Sequence, residues 1–219
     1  MKTPQSRDWN QFWSHQGQAS SQKISWSKRR MTAILKKYLR PGQAALDAGC
    51  GSGFFSKYFC DEGLSTMALD FSEQALEIAQ RLTQGRATLL KADLVHDNLK
   101  EKISKPFDII FSDGLLEHFS RTAQKQILSN LVSCLSDHGV LITFVPNKFS
   151  PWELIRPFYM PGIEEAPFVL SDLIALHEDC RLSVAEKGGV NTFPFALSPD
   201  ELLGQYVGML LYVVTKKGK

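Results

Sequence analysis

Apolar positions along the chain switch between a helical period and short continuous runs. Met31, Ile34, Leu35 and Leu39 fall at helical spacing within residues 28–39. Pro41-Gly42 then stops that helix. The run Ala44 to Ala48 predicts a buried strand, followed by glycines and a helical segment from Phe54 to Cys60. Gly63 stands where a helix C-cap is expected. Leu64 to Leu69 predicts a second strand ending at Asp70, and Ser72 can cap a helix through Leu82 with Ala75, Leu76 and Ala79 inward. Ala87 to Leu90 predicts a third strand ending near Asp93, and Phe107 to Phe111 a fourth. Ser120 can cap a helix with the stripe Ile127, Leu128, Leu131, Val132 and Leu135, after which Gly139 precedes a fifth strand, Val140 to Val145.

Strands that are nearly continuous apolar runs, each followed by a helix, imply a parallel sheet covered on both faces. The pattern changes after Val145. Pro146, Pro151, Pro157, Pro161 and Pro167 interleave with Phe149, Trp152, Phe158, Tyr159 and Phe168, which predicts an irregular lid or short helices. A helix at 171–180, a strand near 182–187 and a last strand at 209–215 complete the order, with Phe193, Pro194, Phe195 and Pro199 in the loop between those strands.

A chain of 219 residues suits one α/β domain and is short for two. We divide it into an N-terminal cover (1–27), a ligand-binding core (28–145), lid elements with a late helix and strand (146–208), and a final strand with a basic tail (209–219). The formal net charge of +2 argues against a nucleic-acid partner, which usually requires a more basic surface. The first residues lack the apolar core of a signal peptide, and the apolar stretch near Val207 to Val214 is too short to span a bilayer. Cys50, Cys60, Cys134 and Cys180 form no CxxC pair, so free thiols and a cytoplasmic location are expected.

The first strand runs into Asp47-Ala48-Gly49-Cys50-Gly51-Ser52-Gly53 and then a helix. Glycine there permits positive φ and lets a ligand approach the backbone. The loop ends at a helix N-terminus, whose free N–H groups favour an anion. In a dinucleotide enzyme that anion is a pyrophosphate. Asp47 would repel a pyrophosphate and suits a ligand that also carries positive charge, and the spacing is GxGxG rather than GxGxxG. S-adenosylmethionine has a sulfonium, an ammonium and one carboxylate, and fits both features.

Ligands of open α/β sheets bind beyond the carboxyl ends of the strands. Asp70 there can accept hydrogen bonds from both ribose hydroxyls, with Phe71 against the adenine, or Asp70 can simply begin a helix. Asp93 can accept from the adenine amino group with the Leu94 N–H beside it, or can serve as a turn aspartate. The segment Phe111-Ser112-Asp113-Gly114-Leu115-Leu116-Glu117-His118 should pass under the methionyl part and the transferred methyl group, with Ser112 and Gly114 in contact. His118 is the best-placed general base if the acceptor is a weak nucleophile, or else a helix-start histidine bonded to its neighbours. Trp152, Phe158, Tyr159, Phe193 and Phe195 are expected to wall the acceptor pocket, or to form a lid that buries its own side chains.

Together Leu46 to Gly53, Leu69-Asp70, Ala92-Asp93, Leu116-Glu117-His118 and the strand Gly139-Val140-Leu141-Ile142 resemble the class I, seven-stranded S-adenosylmethionine-dependent methyltransferases. The small-molecule branch that includes ubiquinone-biosynthesis enzymes is the nearest, over roughly residues 30–145. The resemblance implies a doubly wound, mostly parallel seven-stranded sheet with an antiparallel final strand and helices on both faces. It also implies methionine binding by Asp47, Ala48, Gly49, Cys50, Gly51 and Gly53, ribose binding by Asp70 and adenine binding by Asp93. Trp9, Phe12, Trp13 and Trp26 look like cover helices, or a hydrophobic staple of the N-terminus. Some quinone-branch relatives hold a divalent metal through acids just before the Leu-Glu-His segment. Gly114 occupies one such position, so no metal is expected.

Three other functions compete. Tyr212-x-x-x-Lys216 has the spacing of a short-chain dehydrogenase pair, but on a strand the two residues stand about 13 Å apart and cannot meet. RNA or protein methylation is an alternative, although Asp113-Gly114-Leu115-Leu116 is not the Asn/Asp-Pro-Pro-aromatic motif of amino-methylating nucleic-acid enzymes. A non-catalytic subunit that binds the cofactor would carry the same signals.

Overall fold

The computed structural model describes residues 25–159 and 165–218, with the backbone alone for 157–159. In chain order the elements are α1 (Trp26–Leu35), β1 (Ala44–Ala48), α2 (Phe54–Asp61), β2 (Ser65–Asp70), α3 (Glu73–Thr83), β3 (Thr88–Lys91), the short α4 (Leu99–Lys102) and β4 (Phe107–Asp113). A 3₁₀ turn over Leu116–His118 leads to α5 (Arg121–Ser133), β5 (Leu135–Pro146), α6 (Trp152–Tyr159), α7 (Leu170–Asp179) and β6 (Leu182–Val190). A π turn over Asp200–Gly204 opens the short α8 (Gln205–Val207), and β7 (Leu210–Lys217) ends the order.

The seven strands form one sheet in the order β3-β2-β1-β4-β5-β7-β6. β1 to β5 are parallel, and β7 runs antiparallel to both its neighbours. The expected sheet is therefore present, antiparallel final strand included. Alternate strand residues feed two cores, as a pleated strand requires. Leu46, Ile110, Leu141 and Val213 join α5 and α7 on one face. Ala45, Ile109, Ile142 and Val214 join α1 and α2 on the other. The order reverses between β1 and β4, so the carboxyl ends of those strands flank the crevice where such sheets bind ligands.

The caps read from the sequence are made: Ser72 Oγ accepts from Ala75 N at 3.2 Å and Ser120 Oγ from Ala123 N at 3.4 Å. Several boundaries differ from expectation: α1 ends at Leu35 rather than near 39, β4 runs on to Asp113 and β7 to Lys217, and two further differences have a visible cause. Leu135 belongs to the start of β5, opposite Phe107, and not to the preceding helix, because the Phe107 N–H takes the Cys134 carbonyl and draws the chain into the sheet. β6 runs on past 187 to Val190, because Gly188 and Gly189 let other groups press against the strand. A Cβ on Gly189 would stand 1.9 Å from the Gly204 carbonyl oxygen. The Tyr212–Lys216 pair lies on β7 as expected, and Tyr212 Oη donates to Glu186 Oε1 at 2.9 Å. All four cysteines are free, and no described helix is long and apolar enough to cross a membrane.

Candidate cofactor and acceptor site

The glycine loop is locked to the end of the neighbouring strand. The Leu69 carbonyl accepts from Gly49 N and Cys50 N at 2.8 and 2.9 Å, and Gly53 N donates to the Cys50 carbonyl at 2.8 Å. Gly49, Gly51 and Gly53 all take positive φ, as a loop folding back onto its own strand demands. Gly53 has a second reason to lack a side chain. A Cβ there would stand 2.6 Å from Ala79 Cβ, so α2 and α3 cross closely because position 53 is bare.

Two buried carboxylates bind this loop to its surroundings. Asp70, at the end of β2, accepts from Gly51 N at 3.0 Å with one oxygen and from Ser72 N at 2.9 Å with the other. Asp47 accepts from Ser56 Oγ on α2 at 2.6 Å. Burial pushes the Asp47 carboxyl up to about 7, with Asp113 and Asp70 adding to the rise and Ser56 opposing it. Burial also raises the Asp70 carboxyl, against the pull of the backbone N–H groups of Ser72, Gly51 and Phe71. Asp113, at the end of β4, is pushed up to about 7 by burial, with the Lys28 ammonium working against the rise. Cys50 is buried, and its thiol is raised by the same surroundings.

Three acids that are costly to ionise thus converge on one loop. A bound cation relieves that cost; a second anion adds to it. The donor set fits a ligand with positive charge near its middle, and Gly114, exposed with positive φ, leaves the β4 end open to close approach. Ala48 and Leu94 are buried and Ser112 is 1% exposed, with its hydroxyl 3.5 Å from Thr143 Oγ1.

Asp93 sits apart from this group. Its Oδ1 accepts from Val95 N at 2.8 Å and its Oδ2 faces His96 Nδ1 at 2.9 Å, which is the geometry of a turn aspartate. Its carboxyl lies below its ordinary value: burial acts to raise it, but the His96 imidazole and the Val95 and His96 N–H groups outweigh that effect.

His118 closes the 3₁₀ turn after β4 and is buried beside Glu117. The chain returns to this point after α6: Ala166 N donates to the Glu117 carbonyl at 2.9 Å, and Phe168 bridges to Asn147. Ligand atoms of Glu117, His118 and Glu165 consequently lie within 4.8 Å of one another, a set able to hold a cation. Glu117 is 1% exposed and its Oε2 has no hydrogen-bond partner among the described residues. Burial raises its carboxyl well above the usual range, and Glu165, Asp113 and Glu153 raise it further. Arg156 reaches Glu153 at 3.2 Å and Glu165 at 3.5 Å.

The aromatic residues are less gathered. Trp152 is partly buried at the start of α6. Phe193 and Phe195 stack on each other at 5.4 Å, yet are 44% and 54% exposed. The side chains of Phe158 and Tyr159, and the whole of Trp9, Phe12 and Trp13, lie outside the described residues. Trp26 opens α1 and is 39% exposed.

Residues 45–139, from β1 into β5, match the family model of a methyltransferase domain. This segment is similar to that family, and the seven-stranded sheet around it has the class I methyltransferase fold. A malonyl-[acyl-carrier protein] O-methyltransferase of Anoxybacillus flavithermus is 30% identical over 169 residues, 70% of this chain and 62% of that protein. A ribosomal protein L11 methyltransferase of Thermotoga neapolitana is 32% identical over 118 residues, 48% of this chain and 43% of the relative. The chain thus spans about half the length of these curated relatives. The N-methyltransferase NodS of Bradyrhizobium japonicum, solved with S-adenosyl-L-homocysteine, superposes with a TM-score of 0.69 over 97% of this chain and 98% of that one, at 15% identity. That likeness is one of fold.

Three residues beside the candidate site have no place in the sequence expectations: Ser56, Glu165 and Lys28. Ser56 lies on the third residue of α2, where an inward hydroxyl three residues past the glycines could have been suspected. Glu165 comes from a proline-rich segment without periodicity, and Lys28 reads as an ordinary solvated helix position. Neither gives a local signal.

Proposed function

We infer that the chain transfers the methyl group of S-adenosylmethionine to a small-molecule acceptor by in-line displacement. The observation that carries this is the convergence of Asp47, Asp70 and Asp113 on a glycine loop that is pinned to β2. When bound, S-adenosylmethionine supplies a methyl group already activated by its sulfonium. In this reading Asp70 takes the ribose hydroxyls, Phe71 packs on the adenine, and Asp93 and Leu94 meet the adenine edge. Gly49, Cys50 and Gly51 with the start of α2 receive the methionyl end, and Asp47 favours its ammonium. Ser112 and Gly114 line the path toward the acceptor.

The protein's own task is then mainly positioning, which can contribute roughly 7–11 kcal/mol to a two-body reaction. His118 lies beside the raised Glu117 carboxyl and is the group to take a proton from a hydroxyl acceptor. The aromatic residues Trp152, Phe158, Tyr159, Phe193 and Phe195 supply an apolar wall suited to a planar or lipophilic acceptor. Similarity to a malonyl-[acyl-carrier protein] O-methyltransferase supports an acceptor that presents a small group. A protein acceptor is the second reading, supported by the similarity to ribosomal protein L11 methyltransferases.

A radiolabel experiment separates the two. The chain is incubated with methyl-labelled S-adenosylmethionine and, separately, a protein-free small-molecule extract and a protein fraction. Label appearing in the small-molecule extract is the expected result; label confined to protein would overturn the acceptor assignment.

A further inference from the structure

Acidic side chains crowd the open end of β4, and only part of their charge is met. Glu117 stands on the 3₁₀ turn after β4, Glu153 and Arg156 on α6, and Glu165 on the segment that returns to Glu117 through Ala166. Arg156 Nε lies 3.2 Å from Glu153 Oε2 and 3.5 Å from Glu165 Oε2. Glu117 forms no salt bridge among the described residues. Glu165, Asp113 and Glu153 surround it with like charge instead. Its Oε2 is buried and takes no hydrogen bond among those residues, and Glu153 Oε1 is in the same condition. Buried carboxylate oxygens left unmet are costly, and a donor with positive charge removes that cost.

Glu117 also faces an open approach. Gly114 is exposed with positive φ, and a Cβ built there would stand 3.5 Å from Glu117 Oε1. The bare glycine leaves that carboxylate reachable from the path proposed for the acceptor. Ligand atoms of Glu117, His118 and Glu165 lie within 4.8 Å of one another, so one small group can touch all three. An ammonium suits the set better than a divalent ion. It carries a single charge and donates up to three hydrogen bonds, which can go to separate carboxylates. A divalent ion on Glu165 would meet the Arg156 guanidinium, whose Nε is 3.5 Å from that carboxylate.

We propose that Glu117 and Glu165 bind a protonated amino group of the methyl acceptor, so that the substrate class is a small amine with an apolar body. The inference rests on the small-molecule reading given above and names its class. The amino group is the handle by which the acceptor is held, and it keeps its proton. The aromatic wall meets the body, and a separate nucleophile on it receives the methyl group.

The test uses the full chain saturated with S-adenosylhomocysteine and three probes: tyramine, tyrosol and 4-hydroxyphenylacetate. All three carry the same phenol, and their side arms are positive, neutral and negative. By calorimetry tyramine should bind about 10- to 100-fold more tightly than tyrosol, the gain expected for a charge-assisted hydrogen bond, with 4-hydroxyphenylacetate the weakest. Glu117→Gln keeps the shape and removes the charge, so it should erase the preference for tyramine and leave tyrosol unchanged. Equal affinity for tyramine and tyrosol, no binding of any probe, or a preference that survives Glu117→Gln would overturn the proposal. So would magnesium chloride that binds the wild type, displaces tyramine and fails to bind Glu117→Gln, because the cluster is then a metal site. Should Glu117→Gln fail to fold, the wild-type preference alone decides. The small-molecule reading fails separately, by label confined to protein in the radiolabel experiment, and the cofactor placement fails if S-adenosylhomocysteine does not bind.

Discussion

At the ends of β1 and β2, each acidic side chain is held by the backbone it serves. Asp70 ties Gly51 to Ser72, and Asp47 ties β1 to α2 through Ser56. At the end of β4 and beneath the segment after α6, the arrangement is looser. Glu117 keeps an oxygen without a partner among the described residues, and Glu153 and Glu165 share Arg156; in the β6–β7 connection Phe193 and Phe195 lean on each other near solvent. The first region is a rigid socket made from one contiguous stretch of sequence. The second is assembled from segments far apart in the chain. The difference fits the proposed division of tasks, in which an invariant cofactor meets a fixed socket and the acceptor meets adaptable loops on that scaffold.

The comparison can be broken most severely at Asp70. Asp70→Ala should weaken S-adenosylmethionine by about 100-fold, because it removes ribose contacts and also leaves the Gly51 N–H without its acceptor. The thermal midpoint should fall as well. Calorimetry and a melting curve check both, and a mutant with unchanged affinity would show that Asp70 only begins α3.

A smaller effect is expected at Asp47, and it depends on pH. The folded carboxyl sits near 7 against an ordinary value of 3.8, so the folded state binds more protons than the unfolded one between these values. Its contribution to stability is therefore present at low pH and lost as pH rises through about 7. His177 acts in the opposite sense. It is buried with its imidazole lowered to about 3, so stability is lost as pH falls from about 6.5 toward 3. The difference between wild type and Asp47→Asn isolates the first effect. Without cofactor, Asp47→Asn should gain stability relative to wild type as pH rises from 6 to 8. Wild-type affinity for a cationic ligand should increase over the same range, while that of the variant stays flat. Parallel curves for the two proteins would remove Asp47 from the account.

The smallest effect on the fold is expected at the aromatic loop. Phe193→Ala and Phe195→Ala should change stability by less than about 0.5 kcal/mol, as exposed positions usually do, and should leave cofactor affinity unchanged. Acceptor turnover should fall. Lost cofactor binding in these variants would mean that the two regions are not separate.

The same contrast explains what the sequence made legible. Asp47, the three glycines and Asp70 could be placed because each follows a strand whose apolar run is visible, and strand ends are where a parallel sheet presents its ligands. Asp93 obeys the same rule in position, and its oxygens also take the Val95 N–H and face His96 Nδ1, the turn that the sequence offers beside the ligand reading. Leu135 was drawn into β5 by a backbone bond from Phe107, a long-range choice that helical periodicity cannot see. Glu165 reaches Glu117 only because Phe168 bridges to Asn147, and Lys28 reaches Phe54 only because Arg30 pins α1 to Asp200. Contacts closed by tertiary pairing leave no pattern in the residues that make them.

The central claim is that the socket around Gly49 to Gly53 binds S-adenosylmethionine and excludes a dinucleotide. Calorimetric titration of the full chain with S-adenosylmethionine and, in parallel, with NAD tests it most directly. Saturable binding of one S-adenosylmethionine per chain, displaced by S-adenosylhomocysteine, and no binding of NAD are expected. Binding of NAD without S-adenosylmethionine would contradict it.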